Sequence, residues 1–474
     1  MISRIIKESG ISFGTSGARG LNTQFTEDVC AAFSVSFVNA MRQEYSFKKV
    51  ALAMDRRPSS LFMAQACAGA LSALGYDVLF YGVLPTPALA LQAMSDEMPA
   101  IMITGSHIPF DRNGIKFYRP DGEITKADEL LILSDATTLP AFSAIKLNEL
   151  SLAKENYVNR YITAFSNTLF KGFKIGIYEH SAAGRDLNRE VFESLGATVI
   201  SLGRSDSFVP IDTEAVSDID KKKALDWIQT HQLDAVFSTD GDGDRPLLSD
   251  ENGVWLKGDV LGILCAQAVL ARVVSLPINS NTSVDSVGFE KIERTRIGSP
   301  YVIAGMESLA QGYASVAGFE ANGGFLCGEG LYLGGNPLAA LPTRDAILPA
   351  LAVLAKSRLE KVSVSSLVSK LLTRHTASDR LQNIDVNRMN NLLKKWFSDP
   401  SLAFTDLHLA SELQESNSLD GLRLTLKNAD VVHIRPSGNA PELRCYVESD
   451  SPEKAENLMR DVLGKLSQWC SLNL

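Results

Sequence analysis

One nine-residue phrase recurs along this chain, and it limits the fold more than any other feature. Leu74 to Gly82 reads LGYDVLFYG, Leu195 to Gly203 reads LGATVISLG, and Ala310 to Gly318 reads AQGYASVAG. Each copy follows a helix-like segment and passes from Gly through a polar position or two into an apolar strand. Gly just past a helix suits the stop, because it accepts a left-handed backbone. Gly75, Gly196 and Gly312 lie 121 and 116 residues apart. The first two copies are also preceded by a matching strand and loop, VALAMDRRPSS (50–60) and KIGIYEHSAAGRD (174–186). A period this long is not that of a solenoid. It predicts three similar mixed α/β domains, with the third copy the loosest match.

The remainder of the chain reads differently. DGLRLTL (420–426) alternates, VVHI (431–434) is apolar, RCYVE (444–448) is strand-like, and a helix follows from Pro452 to about Trp469. That predicts a smaller C-terminal α+β domain. The expected divisions are 1–150, 151–255, 256–372 and 373–474, with SLPINSNTS (275–283) and KSRLEKVSVSS (356–366) as loops or connections. A chain of 474 residues has room for four such units. Its net charge of -9 argues against a general nucleic-acid binder, which needs surplus Lys and Arg for phosphate backbones. A small anionic ligand needs only a few local cations and stays open.

The six cysteines (Cys30, Cys67, Cys265, Cys327, Cys445, Cys470) are scattered without a CxxC pair. They are expected to be reduced thiols in a cytoplasmic protein, neither a zinc site nor a disulfide framework. The opening MISRIIKESGISFG has no apolar run of signal-peptide length. The stretch Val260 to Val274 is short and carries Gln267 and Arg272, so it is expected to be a core helix and not a membrane span.

Chemistry concentrates in a few loops. STDGDGDRP (238–246) places Asp240, Asp242 and Asp244 within five residues. Carboxylates this close repel each other and need a positive partner. The spacing invites comparison with the EF-hand loop, and Glu251 falls at its twelfth position. But Arg245 stands where that loop needs Gly, and LDAVFST before it is a strand, not a helix. The better reading is a metal site at the carboxyl edge of a parallel sheet, suited to Mg²⁺ as a hard ion. Without a cation, three adjacent acids would make an unfavourable turn.

A second loop, PAIMITGSHIPFDRNGIKFY (99–118), carries Ser106 off the end of an apolar strand, with His107 and Lys116 as nearby activating groups. It is not a G-x-S-x-G elbow; alone, it is compatible with an ordinary polar loop. FGTSGARG (13–20) can form an anion nest with Arg19 beside it. HIRPSGNAPELR (433–444) offers Arg435, Ser437, Gly438 and Asn439 as an arginine fork and a ring of donors for a phosphate. Together these loops describe a metal, a serine nucleophile and two anion sites drawn from opposite ends of the chain.

At this point the sequence resembles the α-D-phosphohexomutase superfamily, the phosphoglucomutase/phosphomannomutase group, over essentially its whole length. FGTSGARG (13–20), TGSHIP (104–109) with NGIKFY (113–118), DGDGDR (240–245), GFEANGG (318–324) and RPSGNAPELR (435–444) stand in the family's order. The resemblance implies three similar α/β domains and a smaller fourth, with the active site in the central cleft. It implies an isomerase-class intramolecular phosphotransferase that moves a phosphoryl group between the 1- and 6-positions of a hexose phosphate. Ser106 would be the phosphoserine, and a sugar 1,6-bisphosphate the intermediate and activator. Asp240, Asp242, Asp244 and the Ser106 phosphate oxygen would hold Mg²⁺. Arg19 and Lys116 would flank the transferring group, with Lys116 the acid/base candidate and His107 beside the nucleophile. Arg245 would contact the reacting end, while Ser299, Glu320 and Asn322 would bind the sugar. Arg435, Ser437, Gly438 and Asn439 would grip the distal phosphate.

The wording departs from the family's common pattern at Ile108, where Asn is frequent, at Gly324, where many members have His, and at Asn439 and Ala440, where Thr and Glu are common. A histidine acid/base at 324 is thereby excluded. The wording around Ser106 and Glu320 is most like bacterial phosphomannomutases, so mannose phosphates are the expected substrates; a phosphoglucomutase or an aminosugar phosphate mutase is the alternative. A metal-dependent phosphatase would have no use for the Arg435 loop, and a non-catalytic sugar-phosphate sensor would not need Ser106. The expected partners are small hexose phosphates, with no nucleic acid and no membrane, acting on a monomer or homodimer. Closure of the fourth domain over the sugar is expected, to keep water from the phosphoserine.

Overall fold

The computed structural model describes residues 1–14, 17–382, 384–436 and 442–471. One strand plan occurs three times. In the first sheet, Lys49–Met54 lies between two parallel neighbours, Asp77–Val83 and Ala100–Ile103, and Arg112–Arg119 pairs antiparallel beyond Ala100–Ile103. In the second, Lys174–Tyr178 lies between parallel Thr198–Leu202 and Ala235–Thr239, with Pro246–Leu248 antiparallel beyond. In the third, Val273–Pro277 lies between parallel Lys291–Thr295 and Val316–Phe319, with Phe325–Cys327 antiparallel beyond. In each unit the chain makes the central strand, then the edge strand, then crosses back to the other side. That crossing is the switch point where open α/β sheets bind ligands, at the carboxyl ends of their strands.

The recurring phrase maps onto this plan with one correction. Its first two copies join helices Ser60–Ala73 and Arg185–Ser194 to the edge strands, and Gly75 and Gly196 take the left-handed backbone at φ 84° and 91°. The third copy joins helix Ser299–Ala310 to the third strand, Val316–Phe319, not to the edge strand, and Gly312 is not left-handed. In this unit the helix that should precede the edge strand has shrunk to the 3₁₀ stretch Thr282–Ser286. Gly288 keeps the left-handed position before the edge strand at φ 88°, but the shortened helix hides the wording, and the phrase at 310–318 is a neighbouring copy out of phase.

Two other expectations are corrected. Val260 to Val274 is not one helix: helix Gly258–Ala268 ends, Leu270 turns left-handed at φ 59°, and strand Val273–Pro277 begins. The polar run 356–366 is the end of helix Ile347–Glu360, a left-handed Lys361, and the start of helix Val364–Leu371, capped by the Ser363 side chain. Polar residues there cap helices, as Ser does at an N-cap.

A single apolar core runs through the three units, from Leu89 and Tyr157 through Phe192 and Phe237 to Val260, Phe319 and Leu348. A second fills the other face of the first sheet around Phe33, Phe37 and Leu71. The C-terminal unit is an antiparallel five-stranded sheet, ordered His375–Leu381, Leu443–Ser449, Val431–Pro436, Leu422–Leu426, Leu413–Asn417. It has its own core around Trp396, Leu424, Val447 and Leu466. Polar contacts join it to the third unit: Glu448 accepts from the Thr282 backbone N–H at 3.0 Å, and the Arg296 guanidinium donates to the Leu419 carbonyl at 3.1 Å. Among the described residues, no helix is long and apolar enough to cross a membrane.

Candidate active site

The equivalent strand of each unit ends at Ile103, Thr239 and Phe319. The serine loop, the aspartate loop and the loop carrying Glu320 and Asn322 begin at those three ends. The repeat therefore delivers three different loops to one place. Gly241 is required where the first two meet: a Cβ there would lie 2.7 Å from the Ser106 carbonyl oxygen.

Ser106 is buried, and its backbone is left-handed at φ 53°, which is unfavourable for any residue but Gly. Its Oγ donates to Asp240 Oδ2 at 2.6 Å, and its N–H donates to Thr104 Oγ1 at 2.8 Å. Arg57 holds the loop from below. This buried guanidinium donates to the carbonyls of Ser106 (3.0 Å), Ile108 (2.6 Å), Pro109 (2.7 Å) and Arg112 (2.8 Å). It also pairs with buried Asp55 at 3.3 Å and stacks 3.9 Å over the Phe208 ring.

Asp240, Asp242 and Asp244 are all buried, and one oxygen of each lies within 4.8 Å of the others. Asp242 Oδ1 and Asp244 Oδ1 have no hydrogen-bond partner. Two orphaned buried carboxylate oxygens beside a third carboxylate form an oxygen-only donor set that fits a hard divalent cation. Lys116 Nζ bridges the other side of the cluster, 2.6 Å from Asp242 Oδ2 and 2.7 Å from Asp244 Oδ2. Burial pushes the Asp240 carboxyl up, and Asp244 and Asp242 push it further. Burial also opposes ionisation of Asp244, but Arg344, Lys116 and Arg245 outweigh it and hold Asp244 below the ordinary carboxylate range. Burial alone would lower Lys116; the attraction of Asp242 and Asp244 outweighs it and keeps the ammonium charged.

His107 Nδ1 lies 3.2 Å from Ser106 Oγ and 2.9 Å from Arg245 Nη1. Arg245, then burial, then Arg19 push its pKa far down, so the imidazole is neutral and a weak proton acceptor. Burial, with Arg245 and Arg344 nearby, lowers Arg19 to about 10, which leaves it charged at neutral pH.

Arg19, His107 and Arg245 line a cleft of about 660 Å³ together with Glu320, Asn322, Arg344, Arg435 and Arg444, while Ser106, Lys116 and the three aspartates are buried and not among its lining residues. That volume suits a phosphorylated sugar. Asn322 Oδ1 accepts from the Gly324 N–H at 2.9 Å, and the Asn322 carbonyl accepts from Thr213 Oγ1 at 2.9 Å, which fix the loop. Ser299 is not among the cleft-lining residues: its hydroxyl donates to Glu123 Oε2 at 2.8 Å, while its neighbours Ile297 and Gly298 line the cleft. Arg435 stands at the end of its strand, paired with Asp420 at 2.7 Å. Ser437, Gly438 and Asn439 lie outside the described residues.

Sequence reasoning missed Arg57, Arg344 and Glu214. Arg57 sat in view within MDRRPSS, at the end of the central strand, the same edge that carries the serine loop. Arg344 gave no signal, because TRD in LPTRDAIL is indistinguishable from a surface turn. Glu214 lines the cleft, and burial raises its carboxyl.

The description "Phosphoglucomutase/phosphomannomutase, alpha/beta/alpha domain I" matches residues 10–140, domain III of the same family matches 257–375, and its C-terminal domain matches 385–465. A phosphomannomutase of Salmonella muenchen is 53% identical over 98% of this chain and 97% of its own length. One from Sinorhizobium fredii is 42% identical over 97% of this chain and 99% of its own. A phosphoglucosamine mutase of Thermodesulfovibrio yellowstonii is 27% identical over 95% and 97%. Among solved structures, a phosphoglucomutase/phosphomannomutase family protein of Burkholderia thailandensis superposes with a TM-score of 0.75 at 19% identity, covering 99% of this chain and 98% of that one. The chain belongs to the phosphoglucomutase/phosphomannomutase family.

Proposed function

We propose that the protein is a phosphomannomutase, interconverting mannose 1-phosphate and mannose 6-phosphate through a phosphoserine at Ser106 and a mannose 1,6-bisphosphate intermediate. The observation that carries this reading is the 2.6 Å contact between Ser106 Oγ and Asp240 in a buried carboxylate triad, whose neighbours His107 and Arg245 line a sugar-sized cleft. The name of the 53% identical Salmonella relative supports mannose as the sugar.

In the forward step the bond from phosphorus to Ser106 Oγ breaks as the free sugar hydroxyl oxygen bonds to phosphorus. The hydroxyl proton passes to Lys116 Nζ in its neutral form, and the resulting ammonium, held 2.6 Å from Asp242 and 2.7 Å from Asp244, returns that proton to the leaving sugar oxygen in the reverse step. His107 serves the site better as a neutral hydrogen-bonding neighbour of Ser106 and Arg245. Asp240, Asp242 and Asp244 would hold a Mg²⁺ ion, which would supply positive charge to the phosphoryl oxygens. Arg19 and Arg245 add fixed charge on the same side. Arg435, with Ser437, Gly438 and Asn439, grips the phosphate that does not react, which positions the sugar for either orientation. Glu320 and Asn322 bind the ring hydroxyls. The five described cysteines are free and buried, in keeping with a reducing, cytoplasmic setting.

The test is phosphorus NMR of the purified protein with Mg²⁺, a trace of sugar bisphosphate, and mannose 1-phosphate or glucose 1-phosphate in separate tubes. Conversion to the 6-phosphate, faster for mannose and lost in Ser106→Ala, is the expected result. Release of inorganic phosphate alone, or conversion that survives Ser106→Ala, overturns the reading.

A further inference from the structure

Arg344 belongs to neither of the loops that meet in the cleft, yet it touches two of them. It stands on strand Leu341–Asp345, which pairs antiparallel with the strand that leaves the Glu320 loop. Its side chain is 3% exposed. Nε and Nη2 reach Asp244 Oδ2 at 3.1 Å and 2.9 Å, and Nη1 donates to Glu320 Oε2 at 3.1 Å. One planar guanidinium therefore spans from the carboxylate cluster to the sugar loop.

The path of its stem is equally specific. A Cβ built on Gly324 would lie 2.6 Å from Arg344 Cδ, 2.7 Å from Cγ and 3.0 Å from Cβ. The arginine stem fills the volume that any side chain at 324 would need. Gly324 is not left-handed, so backbone conformation does not demand glycine there. What demands it is the space. Gly324 is also the residue whose N–H donates to Asn322 and whose carbonyl accepts from the Glu320 N–H at 3.0 Å. The stem packs on the hub of the sugar loop while the head holds that loop's carboxylate.

We infer that Arg344 is a positioning residue for sugar selection: it aims Glu320 at the ring hydroxyls and ties it to Asp244, and Gly324 is glycine so that the arginine can pass. The inference rests on the proposed role of Glu320 in binding the sugar. A carboxylate that must accept from two hydroxyls of one epimer discriminates only if its orientation is fixed, since a free rotor reaches either epimer. Lysine cannot take over this task, because a single ammonium lacks the fork that reaches both carboxylates.

The test compares wild type with Arg344→Met, Arg344→Lys, Gly324→Ala and Glu320→Gln. KM and kcat are measured for mannose 1-phosphate and glucose 1-phosphate, and mannose 6-phosphate binding is measured by calorimetry without divalent metal. Arg344→Met is expected to raise KM for mannose 1-phosphate about tenfold, the loss of one charged hydrogen bond to Glu320, and to narrow the mannose-to-glucose ratio of kcat/KM. Metal-free affinity should fall in parallel, and Arg344→Lys should recover only part of it. Gly324→Ala keeps the charge but displaces the stem, and should shift the ratio the same way. In a Glu320→Gln background neither change should narrow the ratio further. If Arg344→Met does not fold, Gly324→Ala with and without Glu320→Gln decides the matter. An unchanged ratio and unchanged metal-free affinity in the folded variants would make Arg344 a strut and overturn the inference, with the mutase reading intact. A wild-type protein that converts neither sugar would overturn the mutase reading instead.

Discussion

Replacing Arg57 tests whether the serine loop is positioned by the fold or by its own turn chemistry. Arg57→Lys is the informative change. It keeps a positive charge opposite Asp55, the 3.3 Å partner, but a single ammonium cannot reach four carbonyls spread from Ser106 to Arg112. Of those four bonds, the one to Ser106 is fully buried and the others are partly buried. A hydrogen bond from a charged donor contributes about 1.5–3 kcal/mol, and the partly exposed carbonyls can turn to water, so a net loss of about 2–3 kcal/mol is expected. Arg57→Met should cost more, about 3–5 kcal/mol, because it leaves the buried Asp55 carboxylate without its cation, held only by neutral donors such as Ser60 and Thr104. Catalysis should suffer beyond stability. Ser106 keeps a left-handed backbone only while its carbonyl is held, and displacement of a reacting group by about 1 Å costs on the order of a hundredfold. The assay is kcat for mannose 1-phosphate alongside urea denaturation of the same samples. Arg57→Lys should lower kcat about a hundredfold with KM within about threefold, at a temperature where the variant is fully folded. A variant that loses stability but keeps wild-type kcat would refute the reasoning. It would mean that Thr104, which donates to Asp55 at 2.8 Å and accepts from the Ser106 N–H, suffices to hold the nucleophile.

Lys116→Met should lower kcat by about a hundredfold or more with little change in KM, measured by phosphorus NMR, because it removes the cation bridging Asp242 and Asp244. Chelation with EDTA should abolish turnover, and added Mg²⁺ should restore it; turnover that persists in EDTA would deny the carboxylate triad its role. Acid should unfold the protein partly through histidine. His180 and His433 are both lowered to about 4, with burial the leading cause. Each thus favours folding fully above the unfolded value of about 6.5, and that contribution is lost as pH falls through 6.5 toward 4, about 2 kcal/mol per histidine by pH 5. His433→Asn should therefore shrink the drop in urea stability between pH 7 and pH 5, and an unchanged drop would exclude His433 as a source. Glu448→Ala should loosen the C-terminal unit, since Glu448 accepts from the Thr282 N–H at 3.0 Å and from Arg374 at 3.4 Å. Faster proteolysis near 372–374 and a higher KM for mannose and glucose phosphates alike are the expected signs.

The residues proposed to react were legible because chemistry restricts such roles to few amino acids. Asp240, Asp242, Asp244 and Ser106 announce themselves by type and spacing, and the apolar runs before them mark the strands they end. What could not be read is what supports them. Arg57 and Arg344 act through long side chains on contacts 49 and 100 residues away in the chain, Arg57 to Ser106 and Arg344 to Asp244. Neither contact leaves a local pattern. Ser299 adjoins cleft residues in sequence, but as the first residue of its helix it turns its hydroxyl to Glu123, a contact the sequence does not announce. The out-of-phase copy at 310–318 shows a further limit. A helix, a glycine and a strand recur wherever an α/β unit repeats, so the wording marks the unit without fixing which of its strands it precedes.

The repeat also explains why one site can be assembled from such distant segments. In each of the three units the strand beyond the switch point runs into a loop and returns antiparallel as a neighbour in the same sheet. Such a loop is anchored at both ends to adjacent strands, so its reach is short and its direction is set by the sheet. Three loops of this kind converge wherever the carboxyl edges of three sheets face one another, and the core shared by the three units keeps those edges in place. The proposed nucleophile Ser106, the carboxylates and the proposed sugar-binding residues Glu320 and Asn322 are thus held on one frame, as a reaction that depends on positioning requires. Arg435 is carried by a unit with a separate core, joined to the frame by contacts such as Thr282 to Glu448. The division fits the chemistry. The reacting phosphoryl group must meet a fixed geometry, while the distal phosphate must be caught and let go each time the sugar turns around.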